Sequence, residues 1–161
     1  MAEKDRAVAQ KKARSAVQKI GYPTENPDVL DSWSLEEYYR GLNISNVTYA
    51  ENKAIASLLQ WSKLGKRTPR EEFGMSSPVV TAYYMTNLNE LGLPAGILQK
   101  PVLSDPTLPS YLSYGSLGST AGHELSHGFD PSGSQYDYDG RLRDWWSNST
   151  RDAFNQRQNA L

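Results

Sequence analysis

The sequence predicts an α+β fold that is predominantly α-helical and contains one short antiparallel β-hairpin. Two observations lead to this prediction. Good helix formers and apolar residues at helical spacing fill much of the chain, above all residues 45–66. One run of β-branched and aromatic residues, VVTAYYM at 79–85, is followed by the turn residues TNLNE and by LGL, an order that is typical of a hairpin.

Three helices are expected in the first half of the chain. Residues 2–20 mix helix formers with charge and predict a surface helix whose apolar end is marked by Val17 and Ile20. A short helix is expected over residues 34–41. Residues 45–66 form the clearest helix, with an apolar stripe that is expected to pack in a core. The stripe consists of Val47, Ala50, Ala54, Leu58 and Trp61.

The second half predicts the hairpin and two further helices. A helix is expected from about residue 110 to residue 129, although it contains three glycines that each cost about 1 kcal/mol relative to alanine. These glycines lie near one face and favour a close approach by another backbone. Residues 147–161 begin with capping residues and are expected to be helical to the last residue. The three glycines are Gly115, Gly118 and Gly122.

Composition and charge argue against several classes of function. The 161 residues are enough for one core, and 17 basic against 18 acidic side chains give a net charge of −1. Such a chain has no strong field to attract nucleic acid or an anionic membrane. We expect no transmembrane segment and no signal peptide in these residues, because no apolar stretch is long enough. Without cysteine, a metal site has to use His, Asp or Glu.

Both histidines of the chain lie in the stretch GHELSH. On a helix, His123 and His127 lie one turn apart on one face, where their imidazoles can bind one cation. Glu124 projects about 100° around the helix, where it can hold and deprotonate a metal-bound water. Zinc suits imidazole nitrogen and can bring the pKa of its water to about 7. The spacing therefore indicates a hydrolytic zinc site, and the alternative is a pair of surface histidines.

A third ligand is not evident in the sequence. A catalytic zinc takes three protein ligands, yet no glutamate follows Glu124. The compact metzincin spacing is not met, because its glycine and its third ligand would fall on Asp130 and Gly133. Asp130 is close enough in sequence to support one histidine without binding the metal. Turn-forming or solvated roles are the more common alternative for the candidate aspartates, which are Asp130, Asp137, Asp139, Asp144 and Asp152.

The residues around this motif are more specific than the motif itself. The stretches VTAYYMTNLNELGLPAGILQKP and YGSLGSTAGHELSHGFDPSGSQYDYDGRLRDWW closely resemble the neprilysin and endothelin-converting enzyme family of zinc endopeptidases. KIGYP, LEEYYRGL and EFGMSSPVV extend the likeness over nearly the whole chain. The resemblance implies part of a thermolysin-like (gluzincin) catalytic lobe that contains the HExxH helix. It also implies zinc bound by His123 and His127, with Glu124 as the catalytic base.

The same resemblance implies a substrate-binding strand and shows two departures from the family. The family's Asn-Ala-Tyr-Tyr strand binds the substrate backbone through the Asn side chain and the Ala carbonyl, and these positions are Thr81 and Ala82 here. A threonine hydroxyl offers one donor where asparagine offers two, so substrate alignment should be weaker. The family's third ligand, on a Glu-x-x-x-Asp helix, and its later histidine and arginine have no counterpart in residues 1–161.

The expected organisation is the end of a helical lobe in residues 1–44 and the beginning of a catalytic lobe in residues 45–161, in a truncated chain. Family members are membrane-anchored or secreted ectodomains that cleave oligopeptides on the amino side of hydrophobic residues. The implied partners are therefore oligopeptides, and the implied cofactor is one zinc ion per complete site. The alternatives are a catalytically inactive remnant that binds peptides and a truncated gene product that does not fold stably alone.

Overall fold

The computed structural model describes most of the chain, namely residues 1–46, 48–62, 64 and 72–158. It divides into two compact units. The first unit comprises Met1–Gly21 together with Gly74–Leu161, and the second comprises Tyr22–Phe73. The hairpin and the GHELSH stretch both belong to the first unit. The assignment of residues 1–44 and 45–161 to two lobes of a larger protein remains a prediction.

The predominantly helical α+β fold is confirmed. None of the helices in the described ranges has both the length and the apolar character needed to cross a bilayer. Short 3₁₀ turns follow the hairpin at Ala95–Ile97 and the GHELSH helix at Gly133–Gln135. The α-helices and strands, in chain order, are α1 Glu3–Arg14, β1 Val17–Gly21, α2 Ser32–Tyr38, α3 Tyr49–Ser62, β2 Tyr83–Met85, β3 Glu90–Pro94, α4 Tyr111–Ser126 and α5 Asn148–Gln158.

The expected hairpin is formed by β2 and β3, which pair antiparallel with Tyr84 opposite Leu91. Its first strand is shorter than the predicted 79–85, because pairing begins only at Tyr83. Asn89 closes the turn with a φ of 48°, a left-handed conformation that asparagine tolerates better than most residues. The sheet order is β1-β3-β2, so β2 lies at the edge of the sheet in the described part of the chain.

The first helix ends earlier than predicted, so the predicted range of residues 2–20 is wrong at its C-terminal end. The helix stops at Arg14, and Val17 and Ile20 belong to β1, which pairs parallel with β3. The β-branched side chains of these two residues suit a strand, and pairing with β3 overrides the helix propensity of the preceding sequence. Lys19 of this strand lies 2.8 Å from the Glu90 carboxylate of β3 in a buried ion pair.

The helix predicted over residues 45–66 is present as α3, but the expected core packing of its apolar stripe is wrong. Leu58 and Trp61 are 65% and 70% exposed, and both alanines of the stripe are exposed too. Val47 lies outside the described residues. The periodicity therefore predicted the helix correctly, whereas nothing in the described part of the second unit covers its apolar face.

Two charged side chains are buried on one face of α1, which was expected to be a surface helix. Asp5 and Lys12 lie seven positions apart and are 2% and 0% exposed. The Asp5 carboxylate accepts hydrogen bonds from the backbone N–H and the hydroxyl of Ser147, at 3.1 and 2.6 Å, directly before α5. The hydroxyls of Ser147 and Thr150 hold the pKa of Asp5 below its usual value. Asp5 therefore links the first helix to the last described one.

Replacing Asp5 by asparagine is expected to lower the melting temperature at neutral pH, by an amount that shrinks in acid. Because folding lowers the pKa of Asp5, its carboxylate contributes stability above the unfolded-state pKa, and this contribution is lost as the pH falls through the folded-state pKa. Thermal unfolding from pH 7 to pH 2 tests this, with Asp152→Asn on the exposed side of α5 as the control for one lost charge. A melting-temperature difference that stays constant down to pH 2 would contradict the prediction.

Candidate active site

Helix α4 brings the two histidines together as the sequence predicts. His127 directly follows the last residue of α4 but keeps helical dihedral angles, with φ −59° and ψ −24°, so the spacing of one turn from His123 is preserved. The centroids of the two imidazole rings lie 4.8 Å apart, with their planes at 83°. His123 is exposed and the His127 side chain is 45% exposed, so both rings are accessible from solvent.

The end of α4 tightens into i to i+3 hydrogen bonds. The N–H groups of His127, Gly128 and Phe129 donate to the carbonyls three positions earlier, at 3.1, 3.1 and 2.9 Å. These bonds satisfy carbonyls that the end of an α-helix leaves without partners. The chain then turns through residues 128–136, which we call the zinc-helix loop. The expected helix to residue 129 therefore ends about one turn early.

Close backbone approach occurs in this loop and not at the three glycines that the sequence indicated. A Cβ added at Gly115, Gly118 or Gly122 would meet no neighbouring element of the described chain within 4 Å. At Gly133, by contrast, a Cβ would lie 1.8 Å from the His127 carbonyl oxygen, and at Gly128 it would lie 2.7 Å from the Tyr84 hydroxyl. Glycine is therefore required where the loop folds back onto the end of the helix.

Asp130 connects this loop to one of the two histidines. Its Oδ2 lies 2.9 Å from His127 Nδ1, and its Oδ1 accepts the N–H groups of Ser132 and Gly133 at 2.9 and 2.7 Å. Burial raises the pKa of Asp130, but the hydrogen bonds from Gly133, His127 and Ser132 outweigh it, and the pKa lies below its usual value. Because an ionised carboxylate only accepts, Nδ1 of His127 donates, which leaves Nε2 as the nitrogen that a metal can bind. The contact with a histidine that its sequence position allowed is present, and so is the turn-forming role, because the same carboxylate accepts two N–H groups of the following turn.

This arrangement fits a zinc ion as far as its donor set goes. An imidazole whose Nδ1–H is held by a carboxylate presents Nε2 to a metal, and this carboxylate–histidine pairing is usual around zinc. His123 supplies a second nitrogen on the same helix face. Within the described ranges, however, no group of three His, Asp or Glu side chains is close enough to hold a metal.

Two of the other candidate aspartates have structural roles elsewhere, and the remaining two, Asp139 and Asp152, are exposed. Asp137 is buried, and its Oδ1 accepts the N–H groups of Asp139 and Arg141 at 2.9 and 3.0 Å. Asp144 pairs with Arg151 of α5. These contacts agree with the turn-forming alternative, and they bring none of these carboxylates to the histidines.

The remaining predicted site residues lie on α4 and just before β2. Glu124 is partly exposed and directly follows His123. Thr81 and Ala82 precede the edge strand, and the Thr81 hydroxyl donates to the Ala82 carbonyl at 3.2 Å. Tyr84 of β2 lies against Gly128 at the end of α4. The edge strand therefore runs beside the end of the helix that carries the histidines.

Lys12 is a site neighbour that the sequence did not reveal. Its ammonium donates to three carbonyls of the zinc-helix loop, at 2.6–2.7 Å, although it lies in a helix near the start of the chain. A lysine among many charged residues of a helix carries no local signal of burial. Only the contact with a loop more than 100 positions away distinguishes it.

An open cavity of about 830 Å³ lies elsewhere in the first unit. Apolar side chains of β1, β3, α4 and the segment before α4 line it, and neither histidine does. Neither histidine lines this cavity, so the histidine pair and not the cavity defines the candidate site. The apolar lining includes Ile20, Leu91, Leu93, Leu103, Leu108 and Leu117.

A helix with the His-Glu-x-x-His pattern beside an edge strand defines the class of site found in zinc-dependent peptidases. Comparison with known proteins agrees with this class. The family model of peptidase family M13 matches residues 81–161, and the chain belongs to this family.

Individual relatives extend the match over the whole chain. Neprilysin-11 of Caenorhabditis elegans is 40% identical over 166 residues, which cover 100% of this chain and 19% of the relative. Endothelin-converting enzyme 1 of Mus musculus is 36% identical over 165 residues, which cover 100% of this chain and 21% of the relative. The chain thus spans about a fifth of the length of the curated relatives it matches.

Solved structures confirm the expected fold class, part of a thermolysin-like catalytic lobe. The structure of the zinc metalloprotease ZMP1 of Mycobacterium tuberculosis in complex with an inhibitor matches with a TM-score of 0.79 at 32% identity. The match covers 100% of this chain and 23% of that chain.

Replacing Asp130 by asparagine is expected to weaken zinc binding by about 10- to 100-fold, the usual cost of losing a carboxylate that orients a metal-binding histidine. The amide cannot accept from His127 and from the backbone of residues 132 and 133 in the same way as a carboxylate. Zinc titration followed by calorimetry measures the effect, with Asp139→Asn, an exposed carboxylate nearby, as the control. Equal zinc affinities of wild type and Asp130→Asn would show that the hydrogen bond between Asp130 and His127 does not contribute to zinc binding.

Proposed function

We propose that this chain carries the zinc helix and the general base of a metalloendopeptidase that hydrolyses oligopeptides on the amino side of hydrophobic residues. The observation that carries the proposal is the pair of imidazoles on one face of α4, with His127 oriented by Asp130. Membership of peptidase family M13 and the likeness to a solved zinc metalloprotease support it.

In this proposal His123 and His127 hold the zinc ion through their imidazole nitrogens. A third protein ligand completes the site, and the resemblance assigns it to a Glu-x-x-x-Asp helix that residues 1–161 do not contain. When bound, the zinc supplies Lewis acidity, which polarises the scissile carbonyl and stabilises negative charge that develops during hydrolysis.

The chain's own residues supply the proton transfers and the alignment of the substrate. The Glu124 carboxylate accepts the proton of the attacking water and then delivers it to the leaving amine. The edge strand β2 and the two residues before it offer backbone groups to an extended peptide, with the Ala82 carbonyl as an acceptor and Thr81 in place of the family's asparagine.

A second candidate function is binding of peptides without hydrolysis. The observation that favours it is that the strand able to bind a peptide is present, whereas the metal site is incomplete. The described residues bring only two nitrogen ligands together. A two-histidine site lacks the charge balance and rigidity of a complete one. The two candidates differ in what Glu124 does, since a binding module does not need a general base.

Replacing Glu124 by glutamine in the full-length gene product is expected to lower the turnover number by about 100- to 10,000-fold, the usual contribution of a general base. Peptide affinity should change little, because the amide keeps the size of the side chain. Hydrolysis of a fluorescence-quenched oligopeptide and binding of the same peptide give the two readouts, with Glu36→Gln on the exposed side of α2 as the control.

The outcomes separate the two functions. Loss of turnover with retained peptide affinity supports the peptidase. Peptide binding without turnover in the wild type, unchanged in Glu124→Gln, supports the binding module and contradicts the peptidase.

Replacing Thr81 by asparagine is expected to raise kcat/KM on oligopeptides by about 2- to 10-fold, the equivalent of one hydrogen bond of about 0.5–1.5 kcal/mol. The Thr81 hydroxyl donates to the adjacent Ala82 carbonyl, whereas an asparagine amide reaches further and carries two N–H donors. Steady-state kinetics of Thr81→Asn, with Thr86→Asn in the hairpin turn as the control, measure the change. No increase, or a decrease confined to Thr81→Asn, would argue against alignment of substrate at this position.

A further inference from the structure

Lys12 is the most deeply buried charged side chain of α1, with 0% exposure. Its ammonium has three N–H groups, and each has a carbonyl partner in the zinc-helix loop. The acceptors are the carbonyl oxygens of Gly128, Gly133 and Tyr136, at 2.7, 2.7 and 2.6 Å. One side chain of α1 therefore binds both ends and the middle of the loop that leaves the GHELSH helix.

The same loop carries the carboxylate that orients His127. Asp130 holds the Gly133 N–H at 2.7 Å, while Lys12 holds the Gly133 carbonyl at 2.7 Å. Gly133 thus donates its N–H to the carboxylate that contacts His127 and accepts from the Lys12 ammonium through its carbonyl. Without the ammonium, the Gly128 carbonyl would lose its donor, while the Gly133 and Tyr136 carbonyls would keep only the Tyr136 N–H at 3.0 Å and the Trp145 Nε1–H at 3.1 Å. The loop would therefore lose three of the hydrogen bonds that hold it against α1.

Two carboxylates near the Lys12 ammonium favour its charged form, in which it can donate to all three carbonyls. Burial lowers the pKa of Lys12 to about 8, and the carboxylates of Asp137 and Asp130 oppose this effect by favouring the charged form. Asp137 is 1% exposed, and its Oδ2 has no hydrogen-bond donor in the described part of the chain. The buried positive charge is therefore accompanied by two carboxylates, Asp130 within the loop and Asp137 directly after it, and Asp137 also lies 3.7 Å from the Arg143 guanidinium.

The backbone of Lys12 also anchors the hairpin. Its carbonyl accepts from Asn89 Nδ2 at 3.0 Å, and Asn89 is 1% exposed in the turn between β2 and β3. The Tyr84 hydroxyl of β2 donates to Asn89 Oδ1 and lies against Gly128. Lys12 thus contacts the end of the GHELSH helix through its side chain and the edge strand's hairpin through its backbone.

We propose that Lys12 is a positioning residue of the metal site: its ammonium fixes the zinc-helix loop so that Asp130 holds His127 with Nε2 directed to the metal. The identity of the metal rests on the proposed function. The orientation of His127 does not, because the hydrogen bond from Nδ1 to Asp130 needs no metal to form.

The test compares wild type and Lys12→Met without metal and then with zinc. Imidazole ¹⁵N chemical shifts report which nitrogen of His127 carries the proton. In the wild type we expect the Nδ1–H form, and in Lys12→Met a shift towards the Nε2–H form. The dissociation constant for zinc should rise by about 10- to 100-fold, as for the loss of other groups that orient metal ligands.

Two further variants control for a general loss of stability that is not specific to the Lys12 ammonium. Lys19→Met replaces another buried lysine, which pairs with Glu90 away from the loop, and should lower the melting temperature without moving the His127 shifts or the zinc affinity. Lys12→Cys, alkylated with 2-bromoethylamine in denaturant and refolded, regenerates a lysine-like side chain at one position, since the chain has no cysteine. This chain should recover both the tautomer and the zinc affinity.

Each outcome counts for or against the proposal. A lower melting temperature in Lys12→Met with unchanged His127 shifts and zinc affinity would overturn it and leave Lys12 a purely structural residue. Where Lys12→Met shows no cooperative unfolding, Lys12→Gln, which keeps two N–H donors, is judged by the same criteria. If residues 1–161 bind no zinc, the metal-free tautomer still decides the role of Lys12. The proposed function fails separately, if the full-length gene product binds no zinc.

Discussion

The ammonium of Lys12, enclosed in the first unit, donates to three carbonyls that lie 116 to 124 positions further along the chain. Hydrogen bonds to charged groups contribute about 1.5–3 kcal/mol each, whereas a buried charge without such partners costs several kcal/mol. The three carbonyls therefore offset the cost of burying the charge. The path of the zinc-helix loop is consequently fixed by a residue of α1, and other features of the unit follow from that path.

The glycines of the loop are one such consequence. The loop returns so closely to the end of α4 that a Cβ at Gly133 would overlap the His127 carbonyl, and one at Gly128 would overlap the Tyr84 hydroxyl. The contact between Tyr84 and Gly128 also places the edge strand beside the histidines. The end of α4, which carries the histidines, and the edge strand are thus held in contact with each other. A site that has to align a peptide with a reacting centre usually requires such fixed positions.

Features that depend on neighbours in sequence could be predicted, and features that depend on distant contacts could not. The convergence of His123 and His127 follows from helical spacing. The separation of three residues allows Asp130 to contact His127, although turn-forming or solvated roles are more common for such an aspartate. Local propensity predicts helix where the strand β1 forms, because its partner β3 lies far along the chain. The burial of Lys12 escapes prediction for the same reason. The exposed stripe of α3 shows the reverse case, in which amphipathic periodicity identifies a helix without showing what covers it.

The charges and hydrogen bonds around the loop favour the ionised form of Asp130, the carboxylate that contacts His127. A carboxylate orients an imidazole only while it is ionised, and burial alone would raise the pKa of Asp130. The N–H groups of Gly133 and Ser132 and the His127 ring reverse that effect. Lys12, with its pKa near 8, is mostly charged at pH 7 and adds a buried cation to the same loop. The carboxylate that orients the histidine is thus stabilised by the folded loop, and the loop is held by an ammonium that the carboxylates of Asp130 and Asp137 keep charged.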